Sequence, residues 1–314
     1  MQWADRIGRR VKLRDLHVLL AVAQSGSMTK AASDLAISHP VISKTITDLE
    51  RTVGVRLFDR NPHGVELTAY GQAMLECGVA VFDEMRQGLK RIESLTGAVA
   101  GDLRIGCPEA MAAGLLPIVV ERLLDRHPGI RLLVQFADTA SGQFQVLRAR
   151  SAELLLGPIP TPFSEDDLNA DVLFEQPFFV VAGTCSPWAR RRHVEMSDLM
   201  RERWILPPPD SVPGRLIGEI FQALKLPLPS ASMVNLSIHA TTSLVATGKF
   251  VALFPGYVAK FAAKQLPLKM LPVKLPPRRV SVGVVTVKHR TISPLAKLFI
   301  ECTSGIAKSL IDDR

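Results

Sequence analysis

The twenty residues Met28–Thr47, MTKAASDLAISHPVISKTIT, constrain this chain more than any other stretch. Ser27 can cap a helix over Met28–Leu35, in which Ala31 and Ala32 are small enough to let a second helix lie close. Ile37-Ser38 makes a turn. Ser38 is a good N-cap for the next helix, and Pro40 sits in its first turn, where a missing N–H costs nothing. That helix runs to Val53 and stops at Gly54. Ile42, Ile46, Leu49 and Val53 give it an apolar face; opposite them His39, Pro40, Ser43, Lys44 and Thr47 form a short-chained, hydrogen-bonding stripe. Two short helices around a tight turn, the second presenting such a stripe, suit insertion into the major groove of DNA.

The flanks extend the unit. Leu13, Leu16, Leu20 and Ala23 fall at helical spacing and predict a first helix ending near Ser25-Gly26. Val55–Arg60 and Val65–Leu67 flank Asn61-Pro62-His63-Gly64, a hairpin that places Arg56 and Arg60 within reach of backbone phosphate. Thr68 can cap a long helix from Ala69 to about Thr96. Along it Leu75, Phe82 and Leu89, with Met85 and Ile92, form a heptad seam that needs a partner, either the hairpin domain or the same helix of a second copy. Gly71, Gly78 and Gly88 each weaken that helix by about 1 kcal/mol relative to alanine. By pattern alone, the polar stripe could also face water on a small helical domain.

Beyond a small-residue hinge at Gly97–Gly101 the pattern alternates between short apolar runs and helical stretches. Strands are expected at Leu103–Cys107, Ile130–Phe136 and Glu153–Leu156, with helices at Ala112–Arg126 and Ser141–Arg150. A second series has strands at Phe178–Ala182, Trp204–Leu206, Met233–Leu236 and Phe250–Phe254, with helices at Arg215–Leu224 and His239–Thr247. Val280–Val287 returns to the first series and Pro294–Leu310 closes the chain as a helix. The alternation predicts two α/β subdomains with mostly parallel sheets. In such sheets ligands sit beyond the carboxyl ends of strands. The residues there are Pro108, Glu109 and Ala110; Thr139 and Ser141; Pro158 and Ile159; Pro207; and Ser237 and His239. Helix starts at Thr139, Ser141, Ser237 and His239 favour an anionic ligand. Glu109 opposes that, because at a helix start it satisfies the dipole itself; with Asp138 nearby it points to a neutral polyhydroxy or otherwise polar ligand.

Composition narrows the alternatives. The net charge of +8 is spread along the chain, with ten basic against seven acidic residues in 1–70, so local placement and not global charge carries the DNA reading. Cys77, Cys107, Cys185 and Cys302 are scattered without a CxxC, which argues against a zinc site or disulfide framework and for reduced, buried thiols. No apolar run approaches the about eighteen residues a membrane span needs. The run Val18–Ala23 after Arg9, Arg10 and Lys12 is short and helically spaced, so a packed helix and a cytoplasmic protein are expected. GxSxG, HExxH, a Walker-type loop and a helix-opening GxGxxG are all missing, and Ala246-Thr247-Gly248-Lys249 lacks the preceding glycine of a phosphate loop. An enzyme is therefore not expected, and no metal or cofactor is implied.

GSMTKAASDL, ISHPVISKTITDLE, GVRLFDR and LTAYG follow in order through Leu13–Gly71, and this stretch resembles the winged helix-turn-helix of LysR-type transcriptional regulators. The resemblance covers the first seventy residues closely and the layout of the remainder. It implies a winged helix-turn-helix domain (1–68, with the helix-turn-helix at 28–47), a linker and dimerisation helix (69–97), and an effector domain (101–314) akin to type 2 periplasmic-binding proteins. Subdomain I would take about 101–160 and 266–314, subdomain II about 161–265. On this reading Ser38 and Pro40 set the recognition helix; His39, Ser43, Lys44 and Thr47 face bases or phosphates; and Thr29, Lys30, Arg56 and Arg60 approach the backbone. The implied partners are double-stranded DNA, a small-molecule effector, further copies of the chain as a dimer or tetramer, and RNA polymerase, with no membrane. Three positions depart from the family. His39 stands where Gln is usual, Lys44 where Arg is frequent, and Glu109 where a small hydroxyl residue is common. A solute-binding or protein-interaction module without DNA binding is the alternative.

Overall fold

The computed structural model describes residues 10–61, 64–95, 100–137 and 142–312, and falls into two compact units, 1–89 and 90–314. In the first unit, helices α1 (Leu13–Ser25), α2 (Met28–Asp34) and α3 (His39–Val53) are followed by a two-stranded hairpin, β1 (Phe58–Asn61) and β2 (Gly64–Leu67), and the long helix α4 (Ala69–Leu95). Gly26 and Gly54 end α1 and α3 in the left-handed conformation at φ 62° and 82°, which glycine adopts without a Cβ clash. The core joins Val18, Leu19 and Val22 of α1 to Ile42, Ile46 and Leu49 of α3, with Leu57 and Phe58 beneath the hairpin. Each such side chain removed from water contributes about 1.5–3 kcal/mol. The α1 face differs in part from expectation: Leu16 is buried, but Leu13 is exposed and Leu20 and Ala23 half-buried, because Val18, Leu19 and Val22 point inward beside Leu16.

The start of α4 is fixed by Thr68, whose Oγ1 accepts from Gly71 N at 3.0 Å while its hydroxyl donates to Arg56 O at 2.8 Å. The seam on α4 divides. Phe82 turns onto His17 of α1 with ring centroids 5.9 Å apart, and a Cβ at Gly78 would lie in ordinary contact with Leu16 and Leu20. Leu89 and Ile92 are instead 59% and 61% exposed, and Met85 is exposed with them.

The second unit carries a mixed sheet. Its strands are β3 (Gly101–Cys107), β4 (Ile130–Phe136), β5 (Leu154–Ile159), β6 (Leu168–Gly183), β7 (Trp204–Leu206), β8 (Ala231–Val234), β9 (Val251–Pro255), β10 (Leu268–Met270) and β11 (Arg279–Val287). The strand order is β4-β3-β5-β11-β6-β9-β7-β8, with β10 also on β6. β4-β3-β5 and β9-β7-β8 are parallel, but β11 runs antiparallel to β5 and β6, and β6 antiparallel to β9 and β10. The expectation of mostly parallel sheets is thus corrected. The physical reason is β6, which pairs with β11 over Leu168–Pro177 and with β9 over Phe178–Ala182, so one strand serves both subdomains.

Helices cover this sheet: α5 (Glu109–Ala113), α6 (Leu115–Arg126), α7 (Gln145–Arg148), α8 (Val212–Ala223), α9 (Ile238–Ala246), α10 (Gly256–Gln265) and α11 (Pro294–Asp312). The helix expected from Ala112 is broken at Gly114, where a Cβ would stand 3.1 Å from Tyr257 O and 3.3 Å from Ala110 O. Lys90 binds Asp102 O (2.9 Å) and Glu153 Oε2 (3.4 Å), and the buried Glu153 also accepts from Ser293 N at 2.7 Å. Two cysteines, Cys77 and Cys185, are exposed and Cys302 half-buried, against the expectation of buried thiols; only Cys107 is buried. Burial raises the Cys302 thiol above its ordinary range. Among the described residues no helix is long and apolar enough to cross a membrane.

Candidate nucleic-acid interface and ligand cavity

In α3, Ile42, Ile46 and Leu49 turn into the core, which obliges the opposite stripe to face outward. Ser38, His39, Pro40, Lys44 and Thr47 are exposed and Ser43 half-buried, and Thr29, Lys30, Arg56 and Arg60 are exposed as well. All ten sequence-predicted residues thus lie on the surface of one unit. Ser27 caps α2 as expected, its Oγ accepting from Lys30 N at 3.4 Å. Ser38 does not cap α3 with its side chain; its carbonyl accepts from Val41 N and Ile42 N, and Pro40 supplies the preset φ. The Ser38 hydroxyl is therefore left off the helix end.

Sequence reasoning missed Glu50, whose Oε1 accepts from Leu57 N at 2.8 Å and Phe58 N at 3.3 Å. A single carboxylate on α3 thereby fastens the entry of the hairpin. Its partners lie seven and eight residues on, beyond any helical repeat, so only the folded turn at Gly54 brings them together. Replacing Glu50 by Ala leaves two backbone donors without this acceptor, an expected loss of about 2 kcal/mol. Calorimetry should place the N-terminal transition about 10 °C lower, with Glu50→Gln recovering part through its amide oxygen.

In the second unit a cavity of about 90 Å³ lies at the strand ends, lined by Pro108, Ala110 and Pro158 from one side and by Pro207, Asn235 and Phe254 from the other. Tyr257 also lines it; burial pushes this phenol above its usual range, and its ring meets Phe174 edge-on. Among the described residues no Lys, Arg, His, Asp or Glu lines the cavity. Gln143, Asn235 and Thr241, with the Tyr257 phenol, provide the polar character: Gln143 Nε2 donates to Pro158 O at 3.4 Å, Asn235 Nδ2 donates to Thr241 Oγ1 at 3.1 Å, and the Thr241 hydroxyl donates to Ser237 O at 2.9 Å.

Of the sequence-predicted cavity residues, Pro108, Ala110, Pro158 and Pro207 line it. Ile159 does not; it is buried in a separate core with Ala137, Leu147 and Val285. Thr139 and Ser141, like Asp138, lie outside the described residues. Glu109, Ser237 and His239 form a cluster between lining neighbours: Glu109 Oε1 accepts from Ser237 Oγ at 3.1 Å and from His239 N at 3.0 Å. Glu109 therefore caps α9 across the sheet, where the expectation had it serving only its own helix. A lining this apolar does not offer the rows of donors and acceptors a polyhydroxylated ligand needs. Asn235, Thr241 and Tyr257 were not foreseen, because the first two sit after β8 and inside α9 in unremarkable sequence and the last opens an unpredicted helix.

Two family models match. Residues 13–72 match the bacterial regulatory helix-turn-helix protein, lysR family, and residues 96–305, more than half of the chain, match the LysR substrate binding domain. Among curated relatives, the transcriptional dual regulator GltC of Bacillus subtilis (strain 168) is 27% identical over 295 residues, covering 93% of this chain and 96% of its own length. The Hca operon transcriptional activator HcaR of Escherichia coli (strain K12) is 28% identical over 268 residues, covering 85% and 89%. Among solved structures, full-length CbnR complexed with its target DNA aligns at a TM-score of 0.66 and 20% identity over 93% of this chain and 99% of that one. A full-length OxyR variant from Pseudomonas aeruginosa aligns at 0.68 and 20%, over 95% of each. These solved structures share the fold.

Proposed function

The chain belongs to the LysR family of DNA-binding transcriptional regulators with an effector-binding domain, and from that premise we propose which residues do the work. His39, Ser43 and Thr47 face base edges. Ser38, Lys44, Thr29, Lys30, Arg56 and Arg60 hold phosphates, with Pro40 setting the entry angle of α3. The observation that carries this reading is the exposed polar stripe of α3, opposite buried Ile42, Ile46 and Leu49. A helix so presented can enter the groove with its donors outward. His39 offers one donor and one acceptor, and its donors depend on protonation, so it does not reproduce the two hydrogen bonds with which a Gln would read adenine.

The exposed Met85, Leu89 and Ile92 of α4 support pairing with a second copy along that helix. Two recognition helices would then meet half-sites about one turn apart, ~34 Å. A small molecule in the cavity of the second unit shifts the population between assemblies that space these helices differently. The relatives are named as an activator and a dual regulator of transcription, and on this reading the chain likewise regulates transcription in the cytoplasm, with RNA polymerase as the further partner its output requires.

Footprinting of the protein on genomic fragments tests the proposal. Protection is expected as two related half-sites separated by about one helical turn. Absence of protection at low salt would remove the DNA contacts assigned to α3 and redirect its stripe to a protein partner.

A further inference from the structure

Among the described residues the cavity in the second unit has a charge-free lining, a satisfied helix end and one unserved acceptor, and these define what it can hold. The α9 N-terminus is the place where a carboxylate would ordinarily be stabilised. Here the chain supplies that carboxylate itself. Glu109 Oε1 takes His239 N and Ser237 Oγ, and Ser237 Oγ takes Ala240 N at 3.3 Å. A second carboxylate brought to this helix end would meet Glu109 as a like charge, with no lining cation among the described residues to offset its desolvation.

Asn235 is fixed in orientation. The Thr241 hydroxyl has donated its proton to Ser237 O, so Thr241 Oγ1 can only accept from Asn235, which must present its NH2 there. Asn235 is a lining residue of the cavity, and its Oδ1 is thereby left buried and, among the described residues, without a hydrogen-bond partner. A buried acceptor in that state calls for a donor.

We infer that the effector is an uncharged, largely apolar molecule that donates a hydrogen bond to Asn235 Oδ1, and that Glu109 is the residue that excludes carboxylates. The inference rests on the reading of this cavity as the effector site. It makes Glu109 a specificity determinant as well as a tie between α5 and α9.

Titration calorimetry with three probes of similar ring size tests it: phenol, toluene and benzoate. The full chain is expected to bind phenol about tenfold more tightly than toluene, the worth of one net hydrogen bond, and to show no heat with benzoate. Asn235→Leu should bring phenol down to the toluene level. Glu109→Ser should admit benzoate while leaving the phenol-to-toluene ratio unchanged, which a merely structural role for Glu109 would not produce. Ala110→Leu, which fills the cavity, should abolish phenol binding. Benzoate binding to the unaltered chain that Ala110→Leu removes, or phenol no tighter than toluene, would overturn the ligand class and leave the cavity as the effector site. Binding that survives Ala110→Leu, or binding of none of the probes, would overturn the cavity reading itself and the inference with it.

Discussion

Lys44→Ala is expected to weaken binding to the footprinted DNA about tenfold near 0.1 M salt and to flatten its log–log salt dependence by about one unit. Lys44 stands exposed on the outward stripe of α3, one turn beyond Pro40. A lysine there acts as a compact point charge, and each phosphate it neutralises releases a condensed counterion. Because phosphates carry no sequence information, the loss should be the same on matched and mismatched sites. Lys44→Arg keeps the charge and should keep the slope. His39→Ala should do the reverse, altering the preferred base while leaving the slope unchanged. Anisotropy titrations over a series of salt concentrations read all three. An unaltered slope for Lys44→Ala would show that this side chain touches no phosphate.

The largest effect on stability is expected at Gly71. A Cβ there would lie 2.0 Å from the Leu57 carbonyl oxygen and 2.9 Å from Leu67 Cδ2, so α4 must pull away from the hairpin. The same carbonyl accepts from Thr68 N at 3.0 Å, so the clash also strikes the start of α4. Gly71→Ala should cost about 3 kcal/mol, the upper end of overpacking penalties, and lower the N-terminal transition by about 10–20 °C. Gly88 supplies the control. It lies on the same helix with nothing within 4 Å of its ideal Cβ, so Gly88→Ala should add about 1 kcal/mol through helix propensity alone. Equal effects at the two positions in differential calorimetry would mean that α4 does not press on the hairpin.

Those two glycines show where sequence reading succeeds and where it stops. Propensity treats Gly71, Gly78 and Gly88 alike; only the packed hairpin makes Gly71 a steric requirement. The N-terminal unit was legible because its signals are local. Ser27 caps, Gly26 and Gly54 turn left-handed, and the 3.6-residue period separates Ile42-Ile46-Leu49 from the polar stripe within one helix. Glu50 was not, since its partners are backbone groups across a turn.

The second unit repeats the contrast. β4 and β7 fall on the expected residues because each is a short apolar run bounded by turns. The full length of β6 was hidden by Glu175-Gln176-Pro177, which reads as a break although the strand continues through it into the second subdomain. α10 was missed because Pro255-Gly256 looks like a turn, although here Pro255 is the N-cap and Gly256 already the first helical residue. The cavity was half legible. Strand ends gave Pro108, Ala110, Pro158 and Pro207, while the partner of Glu109 lies 128 residues further on, at Ser237. No periodicity reports a contact of that separation.

If the outward stripe of α3 holds this protein on DNA, as proposed, the most direct test is the equilibrium affinity of the full chain for a duplex carrying the footprinted site. It is measured from low to physiological salt beside a scrambled duplex. Log affinity is expected to fall linearly with log salt, with a tighter grip on the matched site at every concentration. Equal, salt-independent affinity for the two duplexes would contradict it.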